Sequence, residues 1–223
     1  MQIHLYPLLG SILYIYFPKD VVKEINPSIV NAYSIIHNGI LQIFSVYVAC
    51  NLLYALYKYG IETERNYYFQ HKHVDNVIYY FYLSKYYEYI DTIILYAKKR
   101  EPIFLQKFHH LGAVLVWHIG YVNKCEGMVF ICLWNAVVHS FMYLYYLLTL
   151  FKCKVNKYRV YITTLQLAQL VSGSIMLPYY FYEVETVKNK IVIVVFDIYI
   201  ICLIYLFGEF MHENYLQKQK NLL

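Results

Sequence analysis

The chain has 223 residues, of which 60% are hydrophobic, 20% aromatic and only 15% charged. A soluble domain usually carries about 25% charge, so this composition excludes an ordinary soluble globule and points to a membrane protein. The net charge of +5 is spread over loops and gathers into no stripe, which gives nucleic-acid binding no support.

Seven apolar segments separated by short polar breaks are predicted as helices, over roughly residues 2–17, 29–57, 74–97, 103–121, 127–150, 159–182 and 190–211. A spanning helix needs about 20 residues. The first segment is therefore a truncated span or a helix lying in the interface, and the fourth, with His109, His110 and His118, is polar for a span. No linker divides the chain and no internal repeat is visible, so residues 1–223 are expected to form a single all-α, polytopic transmembrane domain. The first basic residue, Lys19, follows the first apolar run, so no cleavable signal peptide is expected. The cysteines are odd in number (Cys50, Cys125, Cys132, Cys153, Cys202) and contain no CxxC, which argues against a disulfide framework. Most of the 29 tyrosines are expected at the bilayer interfaces, where ring and hydroxyl meet different media.

Loop charge sets an expected orientation. With a lumenal N-terminus, the cytoplasmic side would hold Lys19, Lys23, Lys98, Lys99, Arg100, Lys152, Lys154, Lys157, Arg159, Lys218 and Lys220. The lumenal side would hold Lys58, Arg65, Lys72, Lys124, Lys188 and Lys190. The excess lies on the side that the positive-inside rule requires.

Four short stretches place ionisable or amide groups within apolar segments, an expensive arrangement unless they are paired or line a working cavity. In the third segment Lys85, Glu88 and Thr92 recur at i, i+3 and i+7, one helical face, with Asp91 beside them. Lys85 and Glu88 can pair; a helix end emerging from the membrane would explain the same charges. The fourth segment opens with Gln106, His109 and His110, imidazoles suited to proton transfer or nucleophilic attack. Metal is not expected, because two adjacent histidines fall short of the three or more ligands such a site needs. His4, His37, His71, His73 and His212 are read as isolated, and His118 as either cavity-facing or interfacial. In the fifth segment Asn135, His139, Met142, Tyr143 and Tyr146 form one stripe, with Tyr145 adjacent. Asn135 is expected to fix the tautomer of His139, although a polar seam between helices would look the same. Thr163, Gln166 and Gln169 follow at intervals of three in the sixth segment, as uncharged donors or as glue.

Taken together and in order, these residues resemble the ELO family of very-long-chain fatty acid elongases, the 3-oxoacyl-CoA synthases. The family pattern KxxExxDT is matched by Lys85, Glu88, Asp91 and Thr92, and NxxxHxxMYxYY by Asn135, His139, Met142, Tyr143, Tyr145 and Tyr146. TxxQxxQ is matched by Thr163, Gln166 and Gln169, while HxxHH is matched only at His109 and His110, since Gln106 stands where the first histidine is usual.

The resemblance implies about seven transmembrane helices, the last six forming a barrel around an acyl tunnel, in the endoplasmic reticulum membrane. It implies condensation of an acyl-CoA with malonyl-CoA, releasing carbon dioxide and CoA, without cofactor or metal. Membrane lipid, a homodimer and the other enzymes of the elongation cycle are the implied partners. His109 is the expected nucleophile, His110 its orienting or deprotonating neighbour, and His139 with Asn135 the pair steering malonyl decarboxylation. Tyr143, Gln166 or Gln169 would serve as oxyanion donors. Lys85, Glu88, Asp91, Thr92, Gln106, Met142, Tyr145, Tyr146 and Thr163 would complete the substrate site. Lys98, Lys99, Arg100, Lys152, Lys154 and Arg159 would face CoA phosphates. Gln106 keeps hydrogen-bonding ability but cannot act as base or nucleophile, and activity is expected to survive it. The competing classes are a membrane di-iron desaturase or hydroxylase, which needs about eight clustered histidines, and a non-enzymatic lipid-binding protein or transporter.

Overall fold

A computed structural model describes residues 5–60, 67–183 and 187–217. His4, Arg65, Lys218, Lys220 and most of the basic C-terminal stretch lie outside them. The described residues form α1 (Tyr6–Ile15), α2 (Lys19–Val22), α3 (Pro27–Tyr59), α4 (Lys72–Tyr87), α5 (Tyr89–Ala97), α6 (Phe104–Val122), α7 (Gly127–Leu150), α8 (Arg159–Glu183) and α9 (Val187–Met211), with a π-helical turn at His212–Leu216. All seven predicted segments fall on helices, but the third is two helices that meet at Glu88.

The polarity is inverted relative to a soluble protein. On α1 the outward positions are Leu8, Leu9, Ile12, Leu13 and Tyr16, while Ser11 is buried and donates to the Pro7 carbonyl at 2.8 Å. On α9, Ile191, Val194, Ile198, Ile201 and Tyr205 face outward. Apolar surface of this extent is stable in hydrocarbon and not in water.

Four helical stretches are long and apolar enough to cross a membrane, Pro27–Tyr59, Gly127–Leu150, Asn156–Tyr182 and Val187–Tyr215. The chain is an all-α, multi-pass membrane protein. The expectation of about seven spans is met only in part by this criterion. The 16 residues of α4, the 9 of α5 and the 19 of α6 carry the polar side chains of the candidate site, which lowers their hydropathy or shortens them. At 10 residues α1 is about 15 Å long, half the hydrocarbon thickness.

Local chemistry sets the helix ends. Asn26 caps α3 by accepting from the Ser28 N–H at 2.9 Å, with Pro27 in the first turn. α5, α6 and α7 each end with a lysine in the left-handed region, Lys99, Lys124 and Lys152. The two residues that follow the last helical turn reach back to its carbonyls: Lys99 N–H to Tyr96 and Arg100 N–H to Leu95 close α5 at 2.8 and 2.9 Å. In α8, Pro178 cannot donate to the Ser174 carbonyl one turn back. The Ser174 hydroxyl donates to Asp197 Oδ1 on α9 at 2.6 Å, partnering an acid inside an apolar helix.

α3 buries Val30, Ser34, His37, Leu41, Ser45, Val48, Leu52 and Ala55, a stripe at intervals of three and four with small residues that admit a close neighbour. It packs against α7 and α4; α6 packs against α4, α9 and α1; α8 packs against α7 and α9.

Candidate active site

The break at Glu88 organises the site. Glu88 still donates its N–H to the Ser84 carbonyl at 2.9 Å, and Asp91 N–H reaches the Glu88 carbonyl at 3.0 Å, a tightened turn that re-phases α5 relative to α4. Glu88 Oε1 takes a hydrogen bond from the Lys85 ammonium at 2.6 Å. The same ammonium donates to Asn135 Oδ1 on α7 at 3.0 Å and lies 4.1 Å from the centre of the Phe81 ring. Lys85 and Glu88 are each 2% exposed. Such charges are tolerated only because each has partners. His139 Nδ1 lies 3.6 Å from Glu88 Oε1. The expected Asn135–His139 bond is thus corrected: Asn135 spends its carbonyl on Lys85, and Glu88 is the group beside His139.

Asp91 and Thr92 diverge. Asp91 faces α3 and α7, where its Oδ2 accepts the Tyr143 hydroxyl proton at 2.9 Å and its Oδ1 lies 3.0 Å from His37 Nε2. Thr92 faces the other way, its hydroxyl 2.9 Å from that of Tyr14 on α1 and 3.4 Å from the Gln106 side-chain nitrogen. Thr92 lines a separate, mainly apolar cavity of ≈ 200 Å³ between α1 and α5. The single face drawn through Lys85, Glu88 and Thr92 assumed one unbroken helix, and the break carries Thr92 off it.

A cavity of ≈ 460 Å³ gathers most of the candidates: Glu88, Asp91, Gln106, His109, His110, His139, Met142, Tyr143, Tyr145, Tyr146, Thr163 and Gln166. They come from the N-terminal end of α5, the N-terminal end of α6, the C-terminal half of α7 and the start of α8. Phe210 and Tyr215, at the end of α9 and in the π turn, close its side. Of the basic residues expected at its mouth, Lys98, Arg100 and Arg159 line it, and Lys99, Lys152 and Lys154 do not. Burial, and then the Arg100 charge, hold the Lys98 ammonium below its ordinary pKa. Thr163 is 3.3 Å from the Tyr215 hydroxyl, and the Arg159 guanidinium lies over the Tyr215 ring at 4.9 Å.

A second, smaller cavity of ≈ 40 Å³ lies between Ala113, Trp117, Ile131, Met176, Phe196 and Ile200, with Lys85, Asn135 and Gln169 on its wall. His109 is the one described residue that lines both cavities. Its position is fixed from behind: the Tyr199 hydroxyl on α9 donates to the His109 carbonyl at 2.8 Å. This contact depends on Gly112, because a Cβ there would run into the Tyr199 ring. The His109 and His110 rings meet edge to face at 5.3 Å. His110 Nδ1 is buried without a partner.

Tyr143 has one hydroxyl proton and spends it on Asp91, so in this arrangement its oxygen presents only lone pairs. That corrects its expected service as an oxyanion donor. Gln166 contacts Met142 Sδ at 3.2 Å through its side-chain nitrogen, and a second N–H on that nitrogen remains for a ligand.

Two residues of α3 went unnoticed in the sequence. His37, read as isolated, is fully buried and bonded to Asp91, and Asn38 lines the larger cavity. His118 faces α4 and α1 instead of either cavity, 3.1 Å from the Tyr82 hydroxyl and edge-on to Tyr6. Among the described residues no three His, Cys, Asp or Glu side chains group to hold a metal ion.

The sequence profile of the ELO: GNS1/SUR4 family matches residues 2–222. The chain is 32% identical over 228 residues to fatty acid elongase sre1 of Dictyostelium discoideum, an alignment covering 95% of this chain and 84% of that protein. It is 30% identical over 198 residues to fatty acid elongase A of the same organism, covering 83% of this chain and 71% of the relative. To very long chain fatty acid elongase 4 of Trypanosoma cruzi it is 34% identical over 156 residues, covering 64% of this chain and 52% of the relative.

Proposed function

The chain belongs to the ELO family, and from that premise we propose that it is a fatty acid elongase joining a long-chain acyl-CoA to malonyl-CoA. The observation that carries the reading is the place of His109, which lines both the wide cavity that gathers the ionisable residues, with Lys98, Arg100 and Arg159 on its wall, and a smaller cavity walled mainly by hydrocarbon side chains. A thioester has one polar half and one apolar half, and its carbonyl belongs beside a residue shared by two such cavities.

The helix pairings support a barrel. Followed round, α3, α7, α8, α9, α6 and α4 each pack on the next, and α4 returns to α3. With α1 outside this ring, the cavity opens at the end that carries Lys98, Arg100 and Arg159, the end assigned to the cytosol by loop charge. Residence in the endoplasmic reticulum is the reading that family membership and the need for cytosolic malonyl-CoA support.

The chemistry divides into two transfers. The imidazole of His109 attacks the thioester carbonyl, the C–S bond breaks, and CoA leaves as a thiolate that takes up a proton. Malonyl-CoA then loses carbon dioxide, leaving its electron pair on the adjacent carbon as an enolate. That carbon attacks the acyl-imidazole, the C–N bond breaks, and the leaving imidazole takes up a proton from solvent, which regenerates His109 with a 3-oxoacyl-CoA two carbons longer than the primer. His139, beside Glu88, is placed to hold the enolate oxygen. The side-chain N–H of Gln166 is available to the first oxyanion in Tyr143's stead. His109 is only half-buried, so the acyl chain and CoA that fill the two cavities beside it would themselves keep water from the acyl-imidazole. Gln106 does not interrupt either transfer, since its side chain serves Thr92.

The test is incubation of detergent-purified protein with acyl-CoA primers of C14 to C22 and labelled malonyl-CoA. A 3-oxoacyl-CoA two carbons longer is expected. Absence of malonyl-dependent product from every primer, in protein that still binds acyl-CoA, would sink the reading.

A further inference from the structure

Asp91 is held from two sides, and the second side is supplied by a helix that contains none of the matched motifs. His37 on α3 is fully buried, with its ring 4.9 Å from that of Tyr87 and 6.4 Å from that of Tyr33. Its Nε2 sits 3.0 Å from Asp91 Oδ1, while Asp91 Oδ2 accepts from Tyr143 at 2.9 Å. Asp91 and Tyr143 line the larger cavity and His37 does not. We propose that His37 is a positioning residue that acts through Asp91 to set the orientation and hydrogen-bond direction of Tyr143 in the active site.

An ionised carboxylate only accepts, so both contacts to Asp91 must come from donors, Nε2–H of His37 and O–H of Tyr143. Two donors, one to each oxygen, hold the carboxylate in a fixed orientation. Without His37, one oxygen of Asp91 loses its partner. The carboxyl is then free to rotate toward the cavity, and the Tyr143 hydroxyl that donates to it turns with it or is released to donate elsewhere. This changes what the cavity wall offers a substrate without moving a helix. A simpler role, polar glue between α3 and α5, would fix the helices but would not depend on a donor at the position of Nε2.

The kinetic arm of the test rests on the elongase reading; the spectroscopic arm does not. His37→Phe keeps the ring stack and removes the donor, while His37→Gln returns an N–H near the place of Nε2. With 3-fluorotyrosine introduced at position 143 alone, the fluorine resonance of the full-length protein is expected to move in His37→Phe and to return in His37→Gln. In the condensation assay, His37→Phe should lower kcat at least tenfold with KM for acyl-CoA within about twofold, and His37→Gln should recover most of it. Combined with Tyr143→Phe, His37→Phe should add little further loss, since both act on one chain of bonds. A resonance that stays put in His37→Phe, equal impairment of both His37 variants in step with lost thermal stability, or additive losses with Tyr143→Phe would each overturn the proposal. A resonance that moves in protein without condensing activity would remove the elongase reading and leave the positioning role in place.

Discussion

The Lys85 ammonium and the Glu88 carboxylate lie 2.6 Å apart at a break between two helices, nearly without solvent, and the ammonium also donates to Asn135 Oδ1. The pair is both a structural pin and the back wall of the site, because Glu88 Oε1 also faces His139 at 3.6 Å. Removing one partner strands the other charge in a low dielectric, a cost of about 3–5 kcal/mol. Lys85→Met and Glu88→Gln should therefore each lower the thermal midpoint in detergent markedly. The double replacement Lys85→Met with Glu88→Met should regain much of that stability and remain inactive. A double variant as unstable as the singles would show that the pair is needed for the fold itself.

Gln106 offers a direct test of what the first position of the histidine box supplies. Its side-chain nitrogen reaches the Thr92 hydroxyl at 3.4 Å, and that hydroxyl in turn meets Tyr14 at 2.9 Å. A hydrogen-bond donor is all that this chain asks of the position. Gln106→His should change kcat less than about threefold, whereas Gln106→Leu, which cannot donate, should cost about 1 kcal/mol in stability, because Thr92 loses one bond and keeps the one to Tyr14. Steady-state condensation rates and thermal melts of the two variants decide the point. A rise of a hundredfold on Gln106→His would assign the histidine a proton-transfer duty instead.

The parts of the site that were legible in the sequence are those whose partners lie within a helical turn or two. Lys85 with Glu88 could be paired from spacing, and His109 with His110 could be singled out because two imidazoles open an apolar segment. The stripe from Asn135 to Tyr146 could be drawn, but not what each member touches: Asn135 turned to Lys85, 50 positions back in the chain. Thr92 was misplaced because periodicity assumes a continuous helix, and nothing local announces the break at Glu88. His37 was missed for a different reason. A single histidine in an apolar run has no neighbour in sequence to give it meaning, and its partner is 54 positions away. Four of the predicted spans could be recognised from hydropathy alone, and α4, α5 and α6 fell short because the residues that make the site make them polar.

Glu126 gives the fold a pH dependence whose sign is fixed. Its carboxyl precedes α7 in the loop after α6 and accepts the Tyr68 N–H at 3.2 Å. Burial pushes its pKa from the usual 4.5 to about 7. Between those values the folded protein keeps a proton that the unfolded chain has released. Stability is thus greatest below about pH 4.5, falls as pH rises through the window, and levels off above about 7. The whole effect is at most about 3 kcal/mol. Glu126→Gln retains an acceptor for Tyr68 and removes the ionisation. Thermal midpoints taken at pH 5 and pH 8 should show the variant gaining on the wild type at the higher value. Parallel behaviour of the two proteins would show that Glu126 is already ionised at pH 5.

The sharpest consequence falls on His109, the residue shared by the wide cavity and the smaller one. If its imidazole takes the acyl group, the half-reaction does not need malonyl-CoA. Wild-type protein given acyl-CoA alone should release free CoA up to one equivalent, and mass spectrometry should find the acyl group on His109. Adding malonyl-CoA should clear the adduct, because the enolate carbon attacks it and breaks the C–N bond. His109→Ala should lose at least about 10³-fold in condensation, the scale expected when a nucleophile is removed. It should keep its fold, since the Tyr199 hydroxyl bonds the backbone carbonyl and not the ring. His139→Ala should still form the adduct and fail to clear it, which separates the two histidines by the transfer each serves. Release of CoA only when both substrates are present, with no adduct trapped on any histidine, would make the condensation direct and reduce His109 to a base or a binding group.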